Sequence, residues 1–212
     1  MIQTPILSQR DARWAWKPLG FSTGSIGDFG CLVACLTMLA RETDVSKVND
    51  LMKQFGDFAN GNYNSPFLGN LVVWGNVQNA LKSLKLVERG WSYDNNKVKA
   101  WIEKGYPVIV QVDAAPIGAP RTDHFVLFIG DQKLVDPWTG RIRPTSDFPI
   151  LKGFALYTTP TGNVYEQKVK DLKIAVDRLK SELDADSTSP DKESVFKNTM
   201  SKIKRIYDTG TL

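Results

Sequence analysis

The sequence predicts an α+β protein: helices first, an antiparallel sheet after them, then a helical tail. Three observations carry this reading. Residues 31–42, CLVACLTMLARE, are apolar on nearly every side, the pattern of a buried helix. From residue 107 the pattern changes to short β-branched and aromatic runs bounded by Gly, Pro and Asp, at 107–114, 124–130, 133–136 and 153–159. Helices gathered before strands point to an antiparallel sheet. Near Pro160 the composition then shifts: all tryptophans and cysteines precede it, and a stretch rich in Lys, Asp and Glu follows. Residues 1–159 are expected to form one domain and 160–212 a tail.

Gly24, Gly27 and Gly30 read as a loop leading into the helix that Cys31 begins, with Asp28 or Gly30 as its cap. Residues 48–55 read as a short helix, and 69–84 and 97–104 as two more. In the tail, Tyr165, Val169, Leu172, Val176, Leu179 and Leu183 are spaced 4, 3, 4, 3, 4, a heptad seam. After a loop at 184–189, Ser189 caps a second helix whose first turn takes Pro190. This tail could join two copies of the chain, or fold back on itself as a helical hairpin.

Composition narrows the class. With 42% hydrophobic and 24% charged residues, the 212-residue chain can build a packed core. The net charge of +4 is not gathered into a Lys/Arg run, so nucleic acid is not an expected partner. No apolar run is long enough to span a bilayer, and no basic start precedes an apolar stretch. A cytosolic product at synthesis is expected; a route out by lysis, or inside a virus particle, stays open. Cys31 and Cys35, four apart on one helix, do not suit a disulfide. One histidine and two cysteines give no zinc spacing, and no cofactor is expected. The tryptophans read as core or cleft wall, not as nucleic-acid platforms.

The chemistry centres on His124, the single histidine. It opens the run HFVLFIG, and Gly130-Asp131-Gln132 can turn that strand back into KLVDPW. A three-residue turn would pair Ile129 with Lys133 and set Val126 opposite Asp136. Asp136 would then lie diagonally across from His124 on one face, within side-chain reach. A carboxylate there holds the imidazole tautomer and stabilises its protonated form. Cys31, at a helix start behind glycines, has a sulfur favoured as thiolate by the helix dipole, and its N–H can face an oxyanion. The competing structural role, a buried cysteine, suits Cys35, one turn deeper. Gln9, in PILSQRD, carries an amide that can donate to the same oxyanion.

These pieces carry a resemblance. PILSQRDARWAWKPLG, GSIGDFGCLVACLTMLA, WIEKGYPVIVQVD, DHFVLFIGD and LVDPWTG occur in that order between residue 5 and about 157. So arranged, the sequence resembles the double-glycine (bacteriocin-leader) peptidase-like family of papain-fold cysteine peptidases, chiefly its stand-alone members. The resemblance implies a papain-like fold, with Cys31 as nucleophile, His124 as base, Asp136 as its orienter and Gln9 as oxyanion donor. Gln9 stands 22 residues before Cys31, a wider spacing than in transporter-fused members. No transporter segment follows, so export-coupled leader processing is not implied.

The expected function is a thiol hydrolase that cleaves a peptide or isopeptide amide through an acyl-enzyme thioester. Substrates would be a peptide, a protein tail or a cell-wall peptide. Two alternatives stand beside it. One is a binding or assembly module, part of a virion or a complex, whose catalysis is lost or incidental. The other is a Cys-dependent acyl transferase using an amine in place of water.

Overall fold

Glycine at position 30 joins two helices end to end and so sets where Cys31 sits. In a computed structural model of the chain, described over residues 1–113, 123–149 and 151–159, α1 (Ile26–Phe29) is capped by Ser25, whose Oγ accepts from the Asp28 N–H at 3.1 Å. Gly30 closes α1, its N–H donating to the Ile26 carbonyl, and serves as N-cap of α2 (Cys31–Leu39). The glycine loop expected over 24–30 is thus partly helical. A Cβ at Gly30 would lie 2.5 Å from the Ile26 oxygen, so only glycine lets the two helices abut. In α2 every residue from Leu32 to Leu39 is buried. Full burial of a Leu or Val side chain contributes about 1.5–3 kcal/mol each, so this helix anchors the core.

Two longer helices start at aspartate caps. Asp44 accepts from the Ser46 and Lys47 N–H groups ahead of α3 (Val45–Lys53), and Asp94 from Asn96 and Lys97 ahead of α5 (Asn95–Glu103). Both begin earlier than the apolar pattern indicates, because the cap sits outside the periodic segment.

The expected helix over 69–84 does not form as such. Phe67–Leu68 (β1) and Leu71–Val72 (β2) make a small antiparallel hairpin, Trp74–Asn76 a 3-10 turn, and only Val77–Ala80 (α4) is α-helical. Gly69 turns the chain with φ of +61°, and its N–H donates to Asp57 Oδ1 at 3.0 Å. A left-handed residue with such a partner ends a helix rather than continuing one.

Six strands form the main sheet, in the order β3 (Lys85–Gly90), β8 (Leu151–Thr158), β4 (Val108–Val112), β5 (His124–Gly130), β6 (Lys133–Asp136) and β7 (Arg141–Pro144), each pair antiparallel. β4, β5, β6 and β8 occupy the expected runs within a residue or two. β3 and β7 are additions, and both are edges. Their charged residues, and Pro144, suit an edge that needs fewer ladder bonds and must resist stray pairing.

Core residues alternate along the strands. Ile109, Leu127, Ile129, Val135 and Tyr157 pack on the α2 side. Val108, Val110, Val126, Leu134 and Phe154 pack on the α5 side, with Val98 and the half-buried Trp101. Helices therefore cover both faces of an antiparallel sheet. Trp14 is in the core, whereas Trp16 and Trp91 are 72% and 77% exposed, against the expected core or cleft-wall role.

The β5–β6 turn is tighter than expected. Asp131 and Gln132 both take positive φ, 55° and 57°, the mark of a two-residue type I′ hairpin turn. Gly130 pairs with Lys133, and a bulge between Phe128 and Gly130 absorbs one residue. Beyond it Leu127 pairs with Val135. One step further sets Val126 against Asp136, as the sequence argument requires, by a different turn.

The chain divides into two units, Met1–Pro160 and Thr161–Leu212. The tail expectations, from the heptad seam to the second helix and self-association, lie outside the described residues. Among the described residues no helix is long and apolar enough to cross a membrane.

Candidate active site

Four segments meet at one cleft: the N-terminal segment with the turn at Gln9, the start of α2, the start of β5, and the chain just after β6. The cleft, about 220 Å³, is lined by Gln9, Cys31, His124 and Trp138, with Leu71 and Val72 of the small hairpin opposite. All four residues singled out in the sequence come together: three line the cleft and the fourth, Asp136, stands behind His124.

His124 opens β5 and Asp136 ends β6. His124 Nε2 lies 2.7 Å from Asp136 Oδ1, with the histidine 4% and the aspartate 0% exposed. Asp136 is fully engaged: Oδ1 also accepts from the Trp138 N–H at 2.9 Å, and Oδ2 from Thr139 Oγ1 at 2.7 Å. Gly140 N–H closes the turn onto the Asp136 carbonyl at 2.8 Å. A carboxylate held by three donors cannot swing away, so it fixes the ring.

With Nε2 committed to Asp136, the ring nitrogen left to face the Cys31 sulfur is Nδ1. Burial alone would push the imidazole down. The hydrogen bond to Asp136, then the interaction with the neighbouring Cys31, outweigh it and raise His124 to about 9. For Asp136, burial pushes the carboxyl up. The hydrogen bonds from His124 and Thr139 win, and it lies below its ordinary range. The ring therefore carries a proton at neutral pH, between a carboxylate and a sulfur.

Cys31 is half-buried and Cys35 fully buried; both are free thiols. The first α2 hydrogen bond runs from Ala34 N–H to the Gly30 carbonyl at 2.9 Å. The N–H groups of Cys31 to Val33 precede it and point out of the helix start. Cys35 Sγ lies 3.5 Å from the Phe125 carbonyl, and burial raises its thiol well above the ordinary value.

Gln9 is 1% exposed, and its backbone N–H donates to the Pro137 carbonyl at 2.8 Å, tying it to the segment after Asp136. Its Nε2 donates one hydrogen to the Gly27 carbonyl at 2.9 Å, while Oε1 has no partner among the described residues. The amide nitrogen is thereby turned toward the helix start, with a second N–H uncommitted.

Three contributors, Leu71, Val72 and Thr139, have no place in the sequence reading of the site. The hairpin residues Leu71 and Val72 were assigned to a helix. Trp138 takes the cleft-wall role expected of the tryptophans, whereas Thr139, in the quoted segment LVDPWTG, had no assigned role; a hydroxyl just after a candidate orienter was the available signal. Among the described residues, no group of three or more His, Cys, Asp or Glu side chains could hold a metal ion. Comparison with protein-family models, with curated proteins and with solved structures returned no match to the chain, so the site is read from its own geometry.

Proposed function

We propose that the protein is a papain-like thiol hydrolase that cleaves a peptide or isopeptide amide. The observation that carries this reading is the Cys31–His124–Asp136 relay at one cleft, with the 2.7 Å His124–Asp136 contact at its centre. Cys31 sulfur attacks the amide carbon, forming an S–C bond. Negative charge gathers on the carbonyl oxygen, where the Cys31 N–H and the free Gln9 N–H can donate to it. His124 gives its proton to the departing nitrogen as the C–N bond breaks. Water then attacks the thioester carbon, His124 takes a proton from it, and the S–C bond breaks, releasing the acid and returning the sulfur beside the reprotonated ring. Asp136 keeps Nδ1 facing sulfur throughout.

Peptides and peptidoglycan fragments incubated with the full chain, with Cys31→Ala as control, test this. Cleavage by the wild-type chain alone, with a trapped Cys31 acyl adduct, is the expected result. Equal cleavage by both proteins, or none with any substrate and no adduct, overturns it. Added amines appearing in product would move the assignment to acyl transfer by the same residues.

A further inference from the structure

Trp138 lines two concavities at once. One is the catalytic cleft; the other, adjoining it, is a shallow pocket formed with Ser8, Arg10, Thr139 and Arg141. Arg10 sits over the indole, its guanidinium carbon 4.5 Å from the ring centroid. Arg141 is the cross-strand partner of Asp136, so its side chain leaves the sheet on the same face as the catalytic carboxylate. The pocket's hydroxyls are already committed: Ser8 Oγ donates to the Pro137 carbonyl at 3.2 Å, and Thr139 Oγ1 donates to Asp136. Its two guanidinium groups are not. Neither makes an ion pair among the described residues, where eight other pairs occur. No acidic side chain lines the pocket.

The chemistry fixes which part of a substrate passes here. The departing nitrogen must face the protonated His124, so the leaving portion runs over the His124–Asp136 edge that Trp138 borders. Two unpaired guanidinium groups on that path suit a carboxylate, which each can meet with a pair of N–H donors. Stacking on Trp138 pre-orders Arg10 and lowers the entropy lost on binding.

We propose that Arg10 and Arg141 form a carboxylate-recognition site for the leaving portion of the substrate, with Trp138 as its floor. The assignment rests on the hydrolase reading and narrows its substrate class to peptides that carry negative charge just beyond the scissile bond. The carboxylate is either the substrate peptide's own C-terminus or an acidic side chain.

Three matched peptides decide it. One leaving portion ends in a free carboxylate without acidic side chains, one is amidated and carries Glu, and one is amidated and neutral. The wild-type chain should cleave at least one charged peptide with a kcat/KM about tenfold above the neutral one, the scale of two partly exposed ion pairs. In Arg10→Gln/Arg141→Gln that ratio should fall to about one; which charged peptide responds identifies the carboxylate. Binding of the same peptides to the Cys31→Ala chain separates this site from catalysis. Tighter, arginine-dependent binding of a charged peptide supports the site even if no peptide is hydrolysed. Equal binding of all three, or a preference that survives both substitutions, overturns it.

Discussion

His124 and Asp136 are twelve residues apart in the chain and 2.7 Å apart in space. One tight hairpin closes that separation. The left-handed Asp131–Gln132 turn and the bulge beside Gly130 together place the ends of β5 and β6 on one diagonal. The same hairpin brings Trp138 and Thr139 round to brace the carboxylate.

Asp136→Asn keeps the volume but replaces one acceptor oxygen with an N–H donor and removes the charge. It should lower turnover on the order of 100-fold or more, since the imidazole loses both its tautomer control and the partner of its proton. His124→Ala should cost more still, because the proton donor itself is gone. Kinetics on a cleaved peptide, with circular dichroism to show intact folding, check this; full activity in Asp136→Asn would remove its assigned role.

Selective alkylation follows from burial. Cys31 borders the cleft, whereas Cys35 is 0% exposed and burial holds its thiol protonated. Iodoacetamide at neutral pH should modify Cys31 and leave Cys35 untouched, read by peptide mass spectrometry. Equal modification of both in the folded chain would contradict the placement.

Stability should report the pair directly. His124 is raised from 6.5 to about 9 on folding, so the folded state holds that proton more tightly. Its contribution is complete below pH 6.5 and is lost as pH rises through about 9. Asp136 has the opposite sign: depressed below 3.8, it stabilises above that pH and ceases to as pH falls further. Denaturant midpoints of the wild type and His124→Gln should therefore converge between pH 6.5 and 9. A constant difference across that window would count against the pairing.

Gly30→Ala tests the joint between α1 and α2. The new Cβ would press on the Ile26 carbonyl oxygen at 2.5 Å and on Ile26 Cγ2 at 2.8 Å, both in the preceding helix. Overpacking of this kind costs about 1–3 kcal/mol, measurable by urea unfolding, and the shift of Cys31 should lower alkylation of its thiol. A variant with wild-type stability and thiol reactivity would show that the joint can relax.

Local patterns in the sequence determined the buried helix at Cys31, the strands that pack on both faces, and the order of the four catalytic candidates. These are periodicities that a window of residues carries by itself, because burial on one or two faces dictates which positions are apolar. The sheet edges β3 and β7 escaped, since edge strands are half-solvated and keep charged residues that blur alternation. The hairpin at Phe67–Val72 escaped because its turn depends on a distant acceptor, Asp57, for the Gly69 N–H. Only the tertiary structure decided that Trp138 joins the cleft to a two-arginine pocket and that Gln9 packs against the Gly27 carbonyl. Such meetings depend on how separate segments stack and turn, and residues far apart in the chain leave no local periodicity to record them.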